Sequence, residues 1–288
     1  MGTLRLGKRT FAAGEFAVMA IVNATPDSFF DRGATFAPDA ALRAVDTALA
    51  EGADLVDVGG VKAGPGAEVD PAEEIRRTVP LVAAVRARFP DVVISIDTWR
   101  SDVARAAVEA GADLINDAWA GADPGVAEVA AATGAGLVCS HAGGVRPRTR
   151  PHRVAYADVV ADVLATVTRL AARAGAAGVR PDGILIDPTH DFGKNTRHSL
   201  ELTRRLDELV ATGWPVLVAL SNKDFVGESL GLPAGERLEG TLAATAISAW
   251  HGARVFRAHQ VRATRRVVDM VASIRGDRQP VAAHRGLA

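Results

Sequence analysis

Eight short apolar runs punctuate the chain, and each ends in polar residues or in glycine. They cover residues 16–22 ending at Asn23, 54–58 ending at Gly59 and Gly60, 92–96 ending at Asp97, and 114–115 ending at Asn116. The other four cover 136–140 ending at His141, 184–186 ending at Asp187, 216–220 ending at Ser221 and Lys223, and 255–256 ending at Arg257 and His259. A helical pattern follows each run. Residues 39–50 place Leu42, Val45 and Leu49 on one face. The next helix starts at Asp70, with Pro71 suited to its first position and Glu73 spaced for a capping box. Further helices are expected over 101–111, 126–132, 156–174, 197–211, 238–251 and 263–274. Residues 4–11 alternate around Gly7 and Lys8 and read as a hairpin. Strand, loop and helix repeated eight times predict an α/β fold, a closed parallel (β/α)8 TIM barrel with an N-terminal β-hairpin plugging its lower end. All strand ends of such a barrel open on one mouth. Polar groups there are costly unless paired, so their recurrence at one rim predicts a site.

The chain has 288 residues, and no linker or low-complexity tract divides them; one domain is expected over 1–276, with a loose tail over 277–288. Apolar residues make up 48%, enough for a barrel core and a helix ring. The formal net charge is −1 with both signs interspersed, which speaks against a nucleic-acid surface. Cys139 is the only cysteine, sits in an apolar strand pattern, and reads as a small core residue in a reducing, cytoplasmic setting. The run 16–22 is too short to span a membrane, and Glu15 directly before it opposes a signal peptide. Position 6 is Leu6, so the myristoylation pattern fails. Two mouth loops stand out. Residues 23–35 are long for a strand-to-helix connection. Residues 143–153 carry Arg146, Arg148, Arg150, His152 and Arg153, either a solvated basic loop or a contact for an anion or partner. His141 and His190 lack paired metal spacing and are expected on the rim. Gly193-Lys194 lacks the upstream glycine of a phosphate-binding loop. Asn116 and Asp117 also fit a loop cap, and Asp187 before Pro188 fits a turn.

The strand-end motifs resemble those of one family. Asn23-Ala-Thr-Pro-Asp-Ser-Phe29 with Asp31-Arg-Gly33 is similar to the first loop of dihydropteroate synthases, and Asp57-Val-Gly-Gly60 with Pro65-Gly66 to their second. Ser95-Ile-Asp-Thr98, Ile115-Asn-Asp117, Asp187-Pro188 with Phe192-Gly-Lys194, Ser221-Asn-Lys223 and Arg257-Ala-His259 follow in the family's order. The resemblance covers nearly the whole chain. It implies a pterin-binding barrel that transfers the 6-hydroxymethyl-7,8-dihydropterin moiety from its pyrophosphate to para-aminobenzoate, an arylamine, in folate biosynthesis. That reaction expels pyrophosphate and builds positive charge on the pterin methylene, so fixed donors and Mg2+ suit the leaving group. By resemblance, Asn23 contacts the metal or phosphate oxygens, and Arg257 and His259 hold the pyrophosphate. Asp97, Asn116, Asp187 and Lys223 hold the pterin. Asp97, Lys223 and Asp31 serve the chemistry, and Phe29, Pro65 and Asp224 lie around the second substrate. A homodimer through the later helices is implied too, with Leu242, Ala243, Ala246, Ile247 and Trp250 on the seventh.

Departures from the family pattern are concentrated. Val61-Lys62-Ala63-Gly64 stands where the family has Glu-Ser-Thr-Arg, Ser221-Asn222-Lys223-Asp224 where it has Ser-Arg-Lys-Ser, and Gln260 where it has Asp. The pterin and pyrophosphate positions are kept and the aminobenzoate positions are not. An ionised Asp224 opposite the aminobenzoate carboxylate is expected to cost several kcal/mol, roughly hundredfold in affinity. The pattern resembles a divergent second paralogue. It leaves two readings, a transferase with weak or altered activity and an inactive protein that binds pterin as a sensor or partner-regulated module. A methyltetrahydrofolate-dependent methyltransferase is disfavoured, because a methyl donor needs no pyrophosphate clamp.

Overall fold

Alternation along each strand decides which side chains enter the barrel and which face the helices. The computed structural model describes residues 2–23, 38–149 and 155–285. Leu4–Leu6 (β1) and Arg9–Phe11 (β2) pair antiparallel as the expected hairpin. The barrel strands are Ala17–Asn23 (β3), Leu55–Gly59 (β4), Val93–Asp97 (β5), Leu114–Asp117 (β6), Gly136–Ser140 (β7), Ile184–Asp187 (β8), Leu217–Ala219 (β9) and Val255–Ala258 (β10). Their order is β8-β7-β6-β5-β4-β3-β10-β9, with every neighbour pair parallel. A parallel bridge between Ile186 and Val216 closes the ring, backed by the Ile186 N–H donating to Pro215 O at 3.0 Å.

The helices are Pro38–Ala50 (α1), Pro71–Arg88 (α2), Ser101–Glu109 (α3), Gly125–Thr133 (α4), Val159–Ala176 (α5), Thr196–Arg204 (α6), Leu206–Val210 (α7), Asp224–Leu230 (α8), Leu238–His251 (α9) and Val261–Arg275 (α10). Asp70 caps α2 by accepting from the Glu73 N–H at 2.7 Å. The box is only half formed, because the Glu73 carboxylate turns to Arg76 and Arg77. The fifth helix starts later than its apolar pattern suggests, since Asp158 accepts from the Val160 and Ala161 N–H groups and caps it there. The expected helix over 197–211 breaks at Arg205, whose guanidinium gathers Asp158, Glu201 and Glu208. The seven-residue α8 has too few turns to show a helical period.

Every barrel strand carries an apolar inward position below the mouth. Met19, Leu55, Val93, Leu114, Val138, Leu185, Leu217 and Val255 form one buried layer. Leu4, Leu6 and Phe11 of the hairpin close it from below, as expected. Arg254, 1% exposed, ties the hairpin down by donating to Ala12 O at 2.6 Å and Glu15 O at 2.9 Å. The outward positions pack against the helices in a second, larger core, where Cys139 lies.

Candidate functional site

Two residues beyond the apolar layer, the same strands turn polar. Their next inward positions are Asp57, Ser95, Asn116, Ser140, Asp187 and Arg257, with Ile21 and Ala219 as exceptions. Asn23, Gly59 and Asp97 come one step higher and stand side by side across β3, β4 and β5. Residues distant in sequence thus meet on an apolar platform.

Arg257 is the centre of the cluster. Its Nε donates to Asp57 Oδ2 at 2.6 Å and its Nη2 to Asp97 Oδ2 at 2.7 Å. Asn116 Nδ2 also donates to Asp57 Oδ2, at 3.2 Å. Asp57 is fully buried, and its Oδ1 has no hydrogen-bond partner among the described residues. Burial pushes the Asp97 carboxyl up to about 7; Arg257 opposes the rise and Asp57 adds to it. Burial lowers the Arg257 guanidinium, but the two acids outweigh it and leave the group above its ordinary value. Burial also raises Asp187, against a bond from the Thr189 N–H at 2.7 Å and the nearby Lys223. Lys223 donates from Nζ to His190 O at 2.6 Å and lies 4.4 Å from the centre of the Phe192 ring. Burial lowers its ammonium, and Asp191 and Asp187 oppose that.

A cavity of about 290 Å³ opens above this floor. Asn23, Asp97, Lys223, Asp224, Arg257 and His259 line it. Asn116 and Asp187, each 3% exposed, are not part of its lining; they are buried on the same inward ladder as Asp57 and Arg257. The His259 N–H donates to Ser221 Oγ at 3.2 Å, its Nδ1 lies 3.3 Å from the same oxygen, and Ser221 donates to Gln260 Oε1 at 3.0 Å. Phe29 and Asp31 fall outside the described residues, as do Arg150, His152 and Arg153.

Several expectations change. Pro65 is exposed, and Val61, Lys62, Ala63 and Gly64 line the cavity instead. His141 and His190 are buried, not on the rim: His141 Nε2 meets Asp162 Oδ1 at 2.7 Å, and His190 Nε2 meets Thr203 Oγ1 at 3.1 Å. Asp224 is no bare charge, because Arg237 Nη1 donates to its Oδ1 at 2.9 Å. Its side chain is 61% exposed, so solvent screens it as well. Arg148 of the basic loop reaches across the mouth and donates to Lys62 O at 3.2 Å and Ala67 O at 2.7 Å. Asp117, not Asn116, is the loop cap, accepting from the Trp119 and Gly121 N–H groups. Asp187 does both, setting its turn through the Thr189 N–H and facing the barrel.

Asp57 is the residue that the candidate set lacks. The signal was an aspartate inside an otherwise apolar strand, two positions after the inward Leu55. Arg237 gave none, because α8 and its partner helix are brought together only by the fold.

Comparison with known proteins agrees with this geometry. Residues 19–259 match the model of the family described as pterin binding enzyme. The chain is 62% identical to a Mycobacterium leprae protein named inactive dihydropteroate synthase 2, over 97% of this chain and 98% of that one. It is 39% identical to the dihydropteroate synthase of Escherichia coli, over 86% of this chain and 87% of that one. The solved Yersinia pestis dihydropteroate synthase with a sulfonamide drug superimposes with a TM-score of 0.90 at 36% identity, covering 96% of this chain and 100% of that one. The matched span of 19–259 takes in the acid–arginine cluster and reaches from β3 to β10, and the chain belongs to the dihydropteroate synthase family of pterin-binding enzymes.

Proposed function

We propose that the barrel mouth binds a dihydropterin and its pyrophosphate, and that condensation with para-aminobenzoate is lost or very slow. The observation that carries this reading is the Asp57–Arg257–Asp97 cluster with Asn116 beneath an open cavity, beside a second-substrate wall of Ala63, Gly64, Asn222 and Asp224. A pterin presents amino and ring N–H donors on one edge, which Asp187 and the acid pair accept and Asn116 complements. Arg257 and His259 hold the pyrophosphate, and Lys223 donates to the ring. In this reading Asp97 stabilises positive charge on the methylene, and Asp97 and Lys223 are the residues assigned to chemistry. The aminobenzoate wall offers no arginine at Gly64.

Mg2+ fits the donor set in one mode only. Among the described residues no group of three or more His, Cys, Asp or Glu side chains is arranged to hold a metal. Mg2+ bound chiefly by phosphate oxygens and water needs one or two protein oxygens, and the Asn23 amide, which lines the cavity, supplies one. When bound, the ion would neutralise charge on the departing pyrophosphate.

The 62% identity to a protein named inactive supports the loss of synthesis and favours a pterin-binding module over a working transferase. A homodimer through α9 and α10 is part of the same proposal. These helices expose Ile247, Trp250, Met270 and Ile274, apolar side chains that a partner copy would cover. A cytoplasmic location is proposed from the lone thiol of Cys139. No helix among the described residues is long and apolar enough to cross a membrane.

Calorimetry with 6-hydroxymethyl-7,8-dihydropterin pyrophosphate and with para-aminobenzoate, measured separately, tests the reading. Binding of the first and not of the second is expected, with no pteroate formed in a turnover assay. Brisk pteroate formation would refute it, as would failure to bind the pterin pyrophosphate.

A further inference from the structure

Lys194 is buried at 7% exposure and belongs to none of the roles above. Its Nζ donates to three carbonyl oxygens: His141 O at 2.9 Å, Thr189 O at 3.1 Å and Phe192 O at 2.9 Å. An ammonium has three protons, and all three are used. One acceptor lies just past β7 and two lie in the loop from β8 to α6. That loop is improbable on its own, because Thr189, Asp191 and Gly193 all adopt positive φ, at 54°, 69° and 59°. Two of those residues carry side chains that disfavour the left-handed region. A loop of this kind persists only when its surroundings hold it.

The loop orients three parts of the site. The Thr189 N–H fixes Asp187, His190 O accepts from Lys223, and the Phe192 ring lies beside the Lys223 ammonium. We propose that Lys194 is a positioning residue for pterin recognition, a three-pronged brace that holds the β8–α6 loop so that Asp187, Phe192 and Lys223 keep their arrangement. This rests on the pterin reading above.

The brace depends on a proton. Burial pushes the Lys194 ammonium down to about 7. Asp187, Asp191 and Asp162 favour the charged form and Lys223 opposes it. His141, His190 and His198 also face it, from just past β7, the loop and α6. The three carbonyl dipoles favour the charged form too. A neutral amine has two protons and a lone pair, so one carbonyl loses its donor and meets that lone pair. The loop should therefore loosen as the pH rises through neutrality.

Hydrogen exchange of the full chain without ligand, at pH 6.5 and 8.5 and corrected for intrinsic exchange, reads this directly. Protection over residues 188–195 should fall about tenfold at the higher pH, the size of one weakened hydrogen bond, while α2 does not change. In Lys194→Met the segment should be poorly protected at both values. Equal protection of the wild-type segment at both pH values would overturn the brace, as would a Met variant protected like the wild type. The second arm uses 6-hydroxymethylpterin, followed by its own fluorescence. From pH 6.5 to 8.5 wild-type affinity should fall about tenfold more than that of Lys194→Met, which should bind weakly at both values and keep only the pH dependence of the ligand and of Asp97. A wild-type pH profile that survives unchanged in Lys194→Met would overturn the role in recognition. No pterin binding at either pH, with the exchange pattern as expected, would refute the pterin reading and uphold the brace.

Discussion

Arg257→Met tests whether the acid cluster is held by one cation. Arg257 bonds Asp57 at 2.6 Å and Asp97 at 2.7 Å, and Asp57 is fully buried. At these separations and an effective dielectric near 20, each contact is worth about 6 kcal/mol of gross attraction. Most of that offsets desolvation, so the net worth of the trio is small. Removing the cation alone is different, because two carboxylates are then left together with no counter-charge. Breaking a buried pair from one side costs about 3–5 kcal/mol. For a chain of this size that lowers Tm by roughly 6–20 °C. The sign of the pH dependence follows from the acids. Without Arg257 the folded Asp97 carboxyl lies further above its unfolded value, so the loss is small near pH 5, where it holds its proton, and full near pH 8. Calorimetric Tm values at both pH values measure it. Asp57→Asn added to Arg257→Met should recover stability at pH 8 more than at pH 5. An equal loss at both pH values would show that Arg257 acts through packing, and the electrostatic account would fail.

Asp97→Asn should flatten the pH dependence of stability. A carboxyl raised to about 7 contributes stability that is present below its unfolded value and lost as pH rises through 7; urea unfolding between pH 4 and 8 reads the slope, and an unchanged slope would count against it. Asp224→Ser should improve para-aminobenzoate binding by no more than about tenfold, because Arg237 and solvent already screen the carboxylate, with a further gain from Gly64→Arg; a hundredfold gain from Asp224→Ser alone would show that the screening is ineffective. Trp250→Glu, at a residue 56% exposed on α9, should leave a monomer in sedimentation at concentrations where the unmodified chain is dimeric; an unchanged mass distribution would move the interface elsewhere.

The barrel was legible because each strand carries its own ending. Apolar residues buried on both faces stop where the chain meets the mouth, and Asn23, Asp97, Asn116, Asp187 and Arg257 mark those stops. Asp57 was not singled out because it lies one inward step below a strand end, where a lone acid in an apolar run gives no hint of its partner. Its partner is 200 residues away. The inward ladder could be written from the sequence once the strands are aligned, but the alignment is a property of barrel closure. Neither histidine could be placed by type, since Asp162 and Thr203 reach them from helices. The pairing of Asp224 with Arg237 and the reach of Arg148 depend on how loops fold over the mouth, and local periodicity carries no record of that.

The separation of Asp57 from Arg257 also sets a schedule. During synthesis at about 5–20 residues per second, roughly 10–40 seconds pass between the emergence of the acid and that of its counter-ion. Over that interval β4 and β5 carry two carboxylates that cannot be buried together at low cost. The nascent half-barrel is therefore disfavoured from closing on itself until β10 arrives to pair with β3 and bring the guanidinium with it. A chain interrupted before residue 257 lacks both that counter-ion and the strand that pairs with β3. The charge arrangement that shapes the mouth thus ties closure of the first strands to the arrival of the last.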